Sequence, residues 1–127
     1  MRLILVRHAK AEPGAPDAER PLTQKGRERA RELGELLAAR RPDAVVSSPL
    51  RRALETAAPI AEAAGLDVEV DDRLSPGATT EDVRAAVARR GQTVVTVGHA
   101  PDCEEVFLDL TGREEQFKTG AFAEVDL

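Results

Sequence analysis

Short apolar runs recur along this 127-residue chain, alternating with longer stretches in which apolar residues return every three or four positions. Residues 2–6, 44–46, 66–70 and 92–97 are rich in Leu, Ile and Val and too short for helices. They read as strands of a parallel sheet, the first and the last of them as buried ones. The intervening stretches carry helical spacing. The first runs from a Thr23 cap to about Arg40, with Ala30, Leu33, Leu36 and Leu37 inward, and Pro42-Asp43 breaks it. The second opens on Ser48-Pro49, read as N-cap and first turn, with Leu50, Leu54 (or Ala53), Ala57, Ile60 and Ala64 inward. Gly65 closes it, and Pro59 predicts a kink or an early end. The third is capped by Thr79 or Thr80 and carries Val83, Ala86 and Val87 to near Gly91. The fourth follows Pro101 with Val106, Phe107 and Leu110, and stops at Thr111-Gly112. Residues 121–127 alternate in the strand sense, as an edge strand with one wet face.

This β-α-β-α-β-α-β-α-β order predicts a three-layer α/β/α sandwich. Its central sheet has about five mostly parallel strands, with helices on both faces and the last strand at an edge. The length suits one domain over residues 1–127. Residues 10–21 hold three prolines and a glycine and read as a loop, long enough to suggest a functional segment.

Composition narrows the functional classes. With no Trp or Tyr and three Phe, the core must be aliphatic. The net charge of −5 argues against a nucleic-acid or anionic-membrane binder, so anion binding requires a local arginine cluster. No run approaches the roughly 18 apolar residues of a membrane span, and the N-terminus is no secretory signal. The single Cys103 suits a reducing compartment. The expectation is a soluble cytoplasmic protein; oligomeric state is not legible.

The chemistry gathers at strand ends. The only two histidines, His8 and His99, each terminate an apolar strand, where open α/β sheets keep their ligand crevice. The first junction adds Arg7 and Lys10; the second holds Ser47, Ser48, Arg51 and Arg52; the third adds Asp102. Guanidiniums match phosphate or carboxylate, helix N-termini near Pro49 and Pro101 attract anions, and neutral imidazole is a nucleophile near pH 7. Together they suggest a phosphoryl-transfer site with a histidine nucleophile. Against this stand a solvated helix face for Arg51 and Arg52, and structural roles for isolated histidines. His99 and Cys103 are four apart, but no closed zinc spacing is present, so neither metal nor cofactor is expected. Cys103 reads as a small buried residue, and Thr23, Ser48 and Thr79 as caps.

Several segments then share one resemblance. Residues 5–12, with Arg7-His8, resemble the opening signature of the histidine phosphatase superfamily, the group related to phosphoglycerate mutase. Arg20-Pro21-Leu22-Thr23 with Gly26, Ser48-Pro49-Leu50-Arg51-Arg52-Ala53 with Thr56, and Val97-Gly98-His99 with Pro101 are similar to its later motifs, in order. Lys118-Thr119-Gly120-Ala121 resembles the start of the last strand in the short SixA-like branch, the phosphohistidine phosphatases. The resemblance implies that His8 is the catalytic nucleophile and becomes phosphohistidine. Arg7, Arg52 and His99 would then bind the phosphoryl oxygens, Arg51 becoming a rim residue.

Two departures matter. Ala9 replaces the family's usual glycine. Larger members also place a Glu after the third strand to protonate the leaving oxygen. Beyond Asp71-Asp72 that region reads Arg73-Leu74-Ser75-Pro76-Gly77, with no further carboxylate before Glu81 and Asp82. Imidazole leaves from phosphohistidine more readily than an alkoxide leaves from an ester, so the departure favours phosphohistidine in a partner protein. A small-molecule phosphomonoesterase is the alternative, with Glu12, Asp17 or Asp102 as proton donor. A silent phosphate or phosphoprotein binder is the third reading.

Overall fold

The computed structural model describes residues 1–127. Strand β1 (Arg2–Arg7) sends Leu3 and Leu5 to one face of the sheet and Ile4 and Val6 to the other, all fully or nearly fully buried. Helices α1 (Gln24–Ala38) and α2 (Arg51–Ala64) cover the Ile4/Val6 face through Leu33, Leu37, Ala57 and Ile60. Helices α3 (Thr80–Val87) and α4 (Asp102–Thr111) cover the Leu3/Leu5 face through Val83, Val87, Val106 and Phe107. This is the expected three-layer sandwich, and β1 is buried because both faces of the sheet are roofed there. No helix is long and apolar enough to cross a membrane.

The remaining strands are β2 (Ala44–Ser47), β3 (Val68–Val70), β4 (Thr93–Gly98) and β5 (Phe122–Asp126). Their order is β3-β2-β4-β1-β5, parallel except for β5, which pairs antiparallel with β1 at the edge. Strand β4 therefore lies between β1 and β2, although it follows both in sequence. The carboxyl ends of these three strands meet at one rim, where such sheets hold ligands.

Several local expectations change. Helix α1 ends at Ala38, α3 ends at Val87, and β3 begins only at Val68. Leu36 points outward and is 43% exposed, its inward place taken by Gly34. Gly34 lets the Pro59 carbonyl approach α1, where a Cβ would lie 2.7 Å from that oxygen. Pro59 neither ends nor shortens α2, which runs on to an αL Gly65. Along α2, Ala53 faces inward while Leu54 is half-buried. Ser48 is not the N-cap: the helix starts at Arg51 behind Leu50, without a side-chain cap. Thr23 and Thr79 do cap, Thr79 within a reciprocal box with Asp82. The residue 10–21 loop contains a 3-10 turn at Asp17–Glu19. The outer face of β5 is not simply wet, since Arg40 stacks over Phe122 at 5.8 Å and pairs with Glu124 at 3.3 Å.

Candidate active site

The β1–β4 register pairs Arg7 with Gly98, so the next residue on each strand is a histidine. The two rings lie 5.3 Å apart, centroid to centroid, tilted by 58°. Both are buried, His8 at 7% and His99 at 3% exposure. The His8 backbone is clamped from two sides. Its N–H donates to the Gly98 carbonyl at 3.0 Å, and its carbonyl accepts the Gly120 N–H at 2.9 Å. The Lys118–Ala121 segment thus turns into β5 while holding the end of β1.

The ring of His8 is equally fixed. Its Nδ1 lies 2.7 Å from the Ala9 carbonyl oxygen, which can only accept. Nδ1 therefore carries the proton, and Nε2 is left with the lone pair. Ala9 is in turn anchored by its N–H to the Thr56 hydroxyl at 3.0 Å, and that hydroxyl donates to the Arg52 carbonyl at 2.8 Å. Thr56 and Ala9 are fully buried. One hydroxyl on α2 thus couples the His8 support to the turn that carries Arg52.

His8 lines a cavity of about 280 Å³ together with Arg7, Lys10, Arg20, Arg52 and His99. Pro76, from the loop after β3, lies on its wall. Arg52 is buried at 7%, while Arg51 is exposed on the same helix and pairs with Glu55 at 2.7 Å. Of these two neighbours only Arg52 lines the cavity. Arg7 donates through Nη1 to the Phe117 carbonyl at 2.8 Å. Its Nε is buried without a protein partner, as is Nδ1 of His99. Unsatisfied buried nitrogens on two residues of a cationic cavity suit an anion that would complete them.

Burial pushes the His8 imidazole down to about 4, and the Arg52 and Arg7 guanidiniums add to that against the Ala9 hydrogen bond. Burial also lowers His99 to about 4, with His8 and Arg52 next in effect. Both rings are accordingly neutral at pH 7, the state in which an imidazole can attack or accept.

Three groups enter the site more directly than sequence reasoning allowed. Ser48, a cap and a polar group of the second junction by sequence, places its Oγ 2.8 Å from His99 Nε2 and accepts the Leu50 N–H at 3.2 Å. Arg20 reaches the cavity from the long loop, where its Nε donates to the Glu12 carbonyl at 2.7 Å. Thr56 was visible only as a motif position. The position of Ser48 directly beyond strand β2 was the available signal for a role other than capping.

None of the carboxylates considered as proton donors lines the cavity, although Asp17 is bonded to two of its arginines. Asp17 is held by Arg52 Nη2 at 3.2 Å and Arg20 Nη1 at 3.0 Å, while its carbonyl accepts from Arg52 Nη1 at 2.9 Å. Asp102 is buried and accepts the Gly77 and Ala78 N–H groups at 2.9 and 3.2 Å, fastening the loop that carries Pro76. Glu12 and Glu81 are exposed, and Asp82 is occupied in the α3 cap. Cys103 packs in the core, its thiol pushed up to about 12 by burial.

The model of the histidine phosphatase superfamily (branch 1) matches residues 3–78. The protein histidine phosphatase SixA, solved with tungstate, superposes with a TM-score of 0.87 at 26% identity, covering 100% of this chain and 88% of that one. Glucosyl-3-phosphoglycerate phosphatase of Mycolicibacterium vanbaalenii is 40% identical over 78 residues, 58% of this chain and 35% of its own length. Phosphoserine phosphatase 1 of Hydrogenobacter thermophilus is 38% identical over 81 residues, 58% of this chain and 37% of its own. The chain thus spans about a third of the length of these two curated relatives.

Proposed function

The chain belongs to the histidine phosphatase superfamily, and from that membership we propose that it is a phosphatase acting through a phosphohistidine intermediate on His8, with phosphohistidine in a protein as its substrate. Residues 1–127 act as one domain of this type. The observation that carries the reading is the 2.7 Å contact between His8 Nδ1 and the Ala9 carbonyl, which leaves Nε2 as the available nucleophile in a cationic cavity.

Nε2 of neutral His8 attacks phosphorus in line with the leaving group. A bond from His8 to phosphorus forms as the bond to the leaving imidazole breaks, and that imidazole takes up a proton from solvent. Arg7, Arg52 and His99 hold the three equatorial oxygens, whose charge is spread in the transition state, so catalysis is chiefly positioning and neutralisation. Water then attacks phosphorus, the bond to His8 breaks, and phosphate leaves. The reaction needs no metal or cofactor, because the positive charge comes from the guanidiniums.

The choice of substrate rests on leaving-group chemistry. The cavity wall beside the loop after β3 is Pro76, and the charged groups lining the cavity are cations. A P–N bond to imidazole breaks without a strong acid, whereas an alkoxide needs one. The likeness to SixA over the whole chain supports the same reading. The second reading, a phosphomonoesterase for a small metabolite, is favoured by the sequence likeness to the two small-molecule phosphatases.

Turnover of a phosphohistidine peptide against a panel of alkyl phosphates separates the two. The expected result is preference for the P–N substrate, acid-labile label on the wild-type protein after brief exposure, and loss of turnover and label in His8→Ala. Full activity of His8→Ala would remove the nucleophile assignment; a strong alkyl preference would move the protein to the second reading.

A further inference from the structure

Beside the His8 cavity lies a groove of about 320 Å³ that shares Lys10 and Thr119 with it and has no apolar residue in its lining. Helix α1 supplies the rest of the wall through Lys25, Glu28, Arg29 and Glu32. The two spaces adjoin because α1 begins hard against the strand end. Gly26 sits on the Lys10 backbone, and Thr23 N–H donates to the Lys10 carbonyl at 2.9 Å.

The charges in this groove differ in kind. Arg29 is engaged, its Nε donating to the Gly120 carbonyl at 3.0 Å and its Nη1 lying 3.8 Å from Glu32. Glu28 accepts from Gln24 at 3.3 Å. Lys10 and Lys25 are both exposed. All ten ion pairs of the protein are made by arginines, so neither lysine is committed to a carboxylate. The third and last lysine, Lys118, directly precedes Thr119 of the shared wall. In a chain of net charge −5, every lysine therefore stands at or next to this one groove.

We propose that the groove is a subsite for a second anionic group of the substrate, a carboxylate or second phosphate carried a few bonds from the phosphoryl group and held by Lys10 and Lys25. The inference rests on the reading that the phosphoryl group is bound at His8, and adds what the substrate must carry beside it. The division of labour follows from side-chain chemistry. Rigid guanidiniums around His8 fix a group of defined geometry. Flexible ammonium groups on four-carbon stems accept an anion whose position varies with its linker. In a protein substrate the second anion is an acidic side chain near the phosphohistidine; in a metabolite it is a carboxylate on the same molecule.

The test is a competition series read without turnover. Alkylphosphonates of two to five carbons, with and without a terminal carboxylate, are titrated at low ionic strength against the imidazole 15N signals of His8. At one or more chain lengths the carboxylated compound is expected to bind about tenfold tighter than the plain one, an advantage that shrinks in high salt. In the Lys10→Gln/Lys25→Gln variant the ratio is expected to fall to about one, and Lys25→Gln alone should reduce it. Equal binding at every length, or a ratio unchanged in both variants, overturns the subsite. If no phosphonate moves the His8 signals, the underlying phosphoryl site is what fails. Phosphohistidine peptides flanked by Glu or by Ala identify the source: a tenfold lower KM for the Glu peptide points to a protein, and preference confined to the phosphonocarboxylates points to a metabolite.

Discussion

Replacing Thr56 with Val tests whether one buried hydroxyl sets the chemistry of His8. The substitution keeps the shape of the side chain and removes only the oxygen that accepts the Ala9 N–H at 3.0 Å. Thr56 and Ala9 are each 0% exposed, so water cannot replace the lost partner. A buried N–H left unsatisfied costs about 1–3 kcal/mol. At about 2.1 cal/mol/K of unfolding entropy per residue, a 127-residue chain should lose roughly 4–11 °C in Tm. The effect on function follows from what Ala9 does with its other end, since its carbonyl holds the proton on His8 Nδ1. Loosening Ala9 allows the other tautomer, in which Nε2 carries the proton and cannot attack. Turnover should therefore fall further than stability alone accounts for, by about tenfold or more at a temperature where the variant is fully folded. Thr56→Ser, which restores the oxygen, should recover both. Because the chain has two histidines, 15N shifts report the His8 tautomer directly. A Thr56→Val protein with wild-type Tm, or one that is destabilised but keeps a single Nδ1-protonated His8 and full turnover, would refute this coupling.

Two further outcomes follow from the same geometry. Gly26→Ala places a methyl carbon 2.1 Å from the Lys10 carbonyl oxygen, a backbone atom two residues beyond His8. Steady-state kinetics should show a loss on the order of 100-fold in kcat, with overpacking of about 1–3 kcal/mol visible in denaturant titrations; near-normal activity would mean that α1 does not position His8. The histidines should also titrate together near pH 4 in NMR, well below the ordinary 6.5. The sign of the linkage is fixed by that lowering: between about 6.5 and 4 the unfolded chain takes up protons that the folded one does not. Their contribution to stability is thus complete above 6.5 and is lost as pH falls through 4, and a midpoint near 6.5 for either ring in the folded protein would contradict the burial argument.

Much of this protein was legible one residue at a time. Apolar runs too short for helices marked the buried strands, period-3.6 spacing marked α1 to α4, and a histidine at the end of each of two strands marked the site. These are local signals, because backbone conformation and the apolar face of an element are set by neighbours in sequence. Finer local detail was already less secure. Leu36 matches the helical spacing as well as Leu37 does, and only the closeness of α2 at Gly34 decides which faces inward. Pro59 forfeits one hydrogen bond of α2, yet the apolar face it sits beside, with Ala57, Ile60 and Ala61 buried, carries the helix past it.

Tertiary structure alone decided what the sequence pattern left open. The insertion of β4 between β1 and β2 brings His99 against His8, and no local pattern encodes strand order. The same holds for the bonds around the two histidines. Ser48 reaches His99 across 51 positions and Thr56 reaches Ala9 across 47, replacing the cap and the plain helix position that their own neighbourhoods implied. A side-chain oxygen forms whichever bond satisfies buried donors and acceptors once the sheet has closed, and those groups come from distant parts of the chain. Residue types and their strand-end positions were thus written locally, while the tautomer of His8, the burial of Arg52 rather than Arg51 and the placing of the lysine groove beside the His8 cavity came from long-range closure.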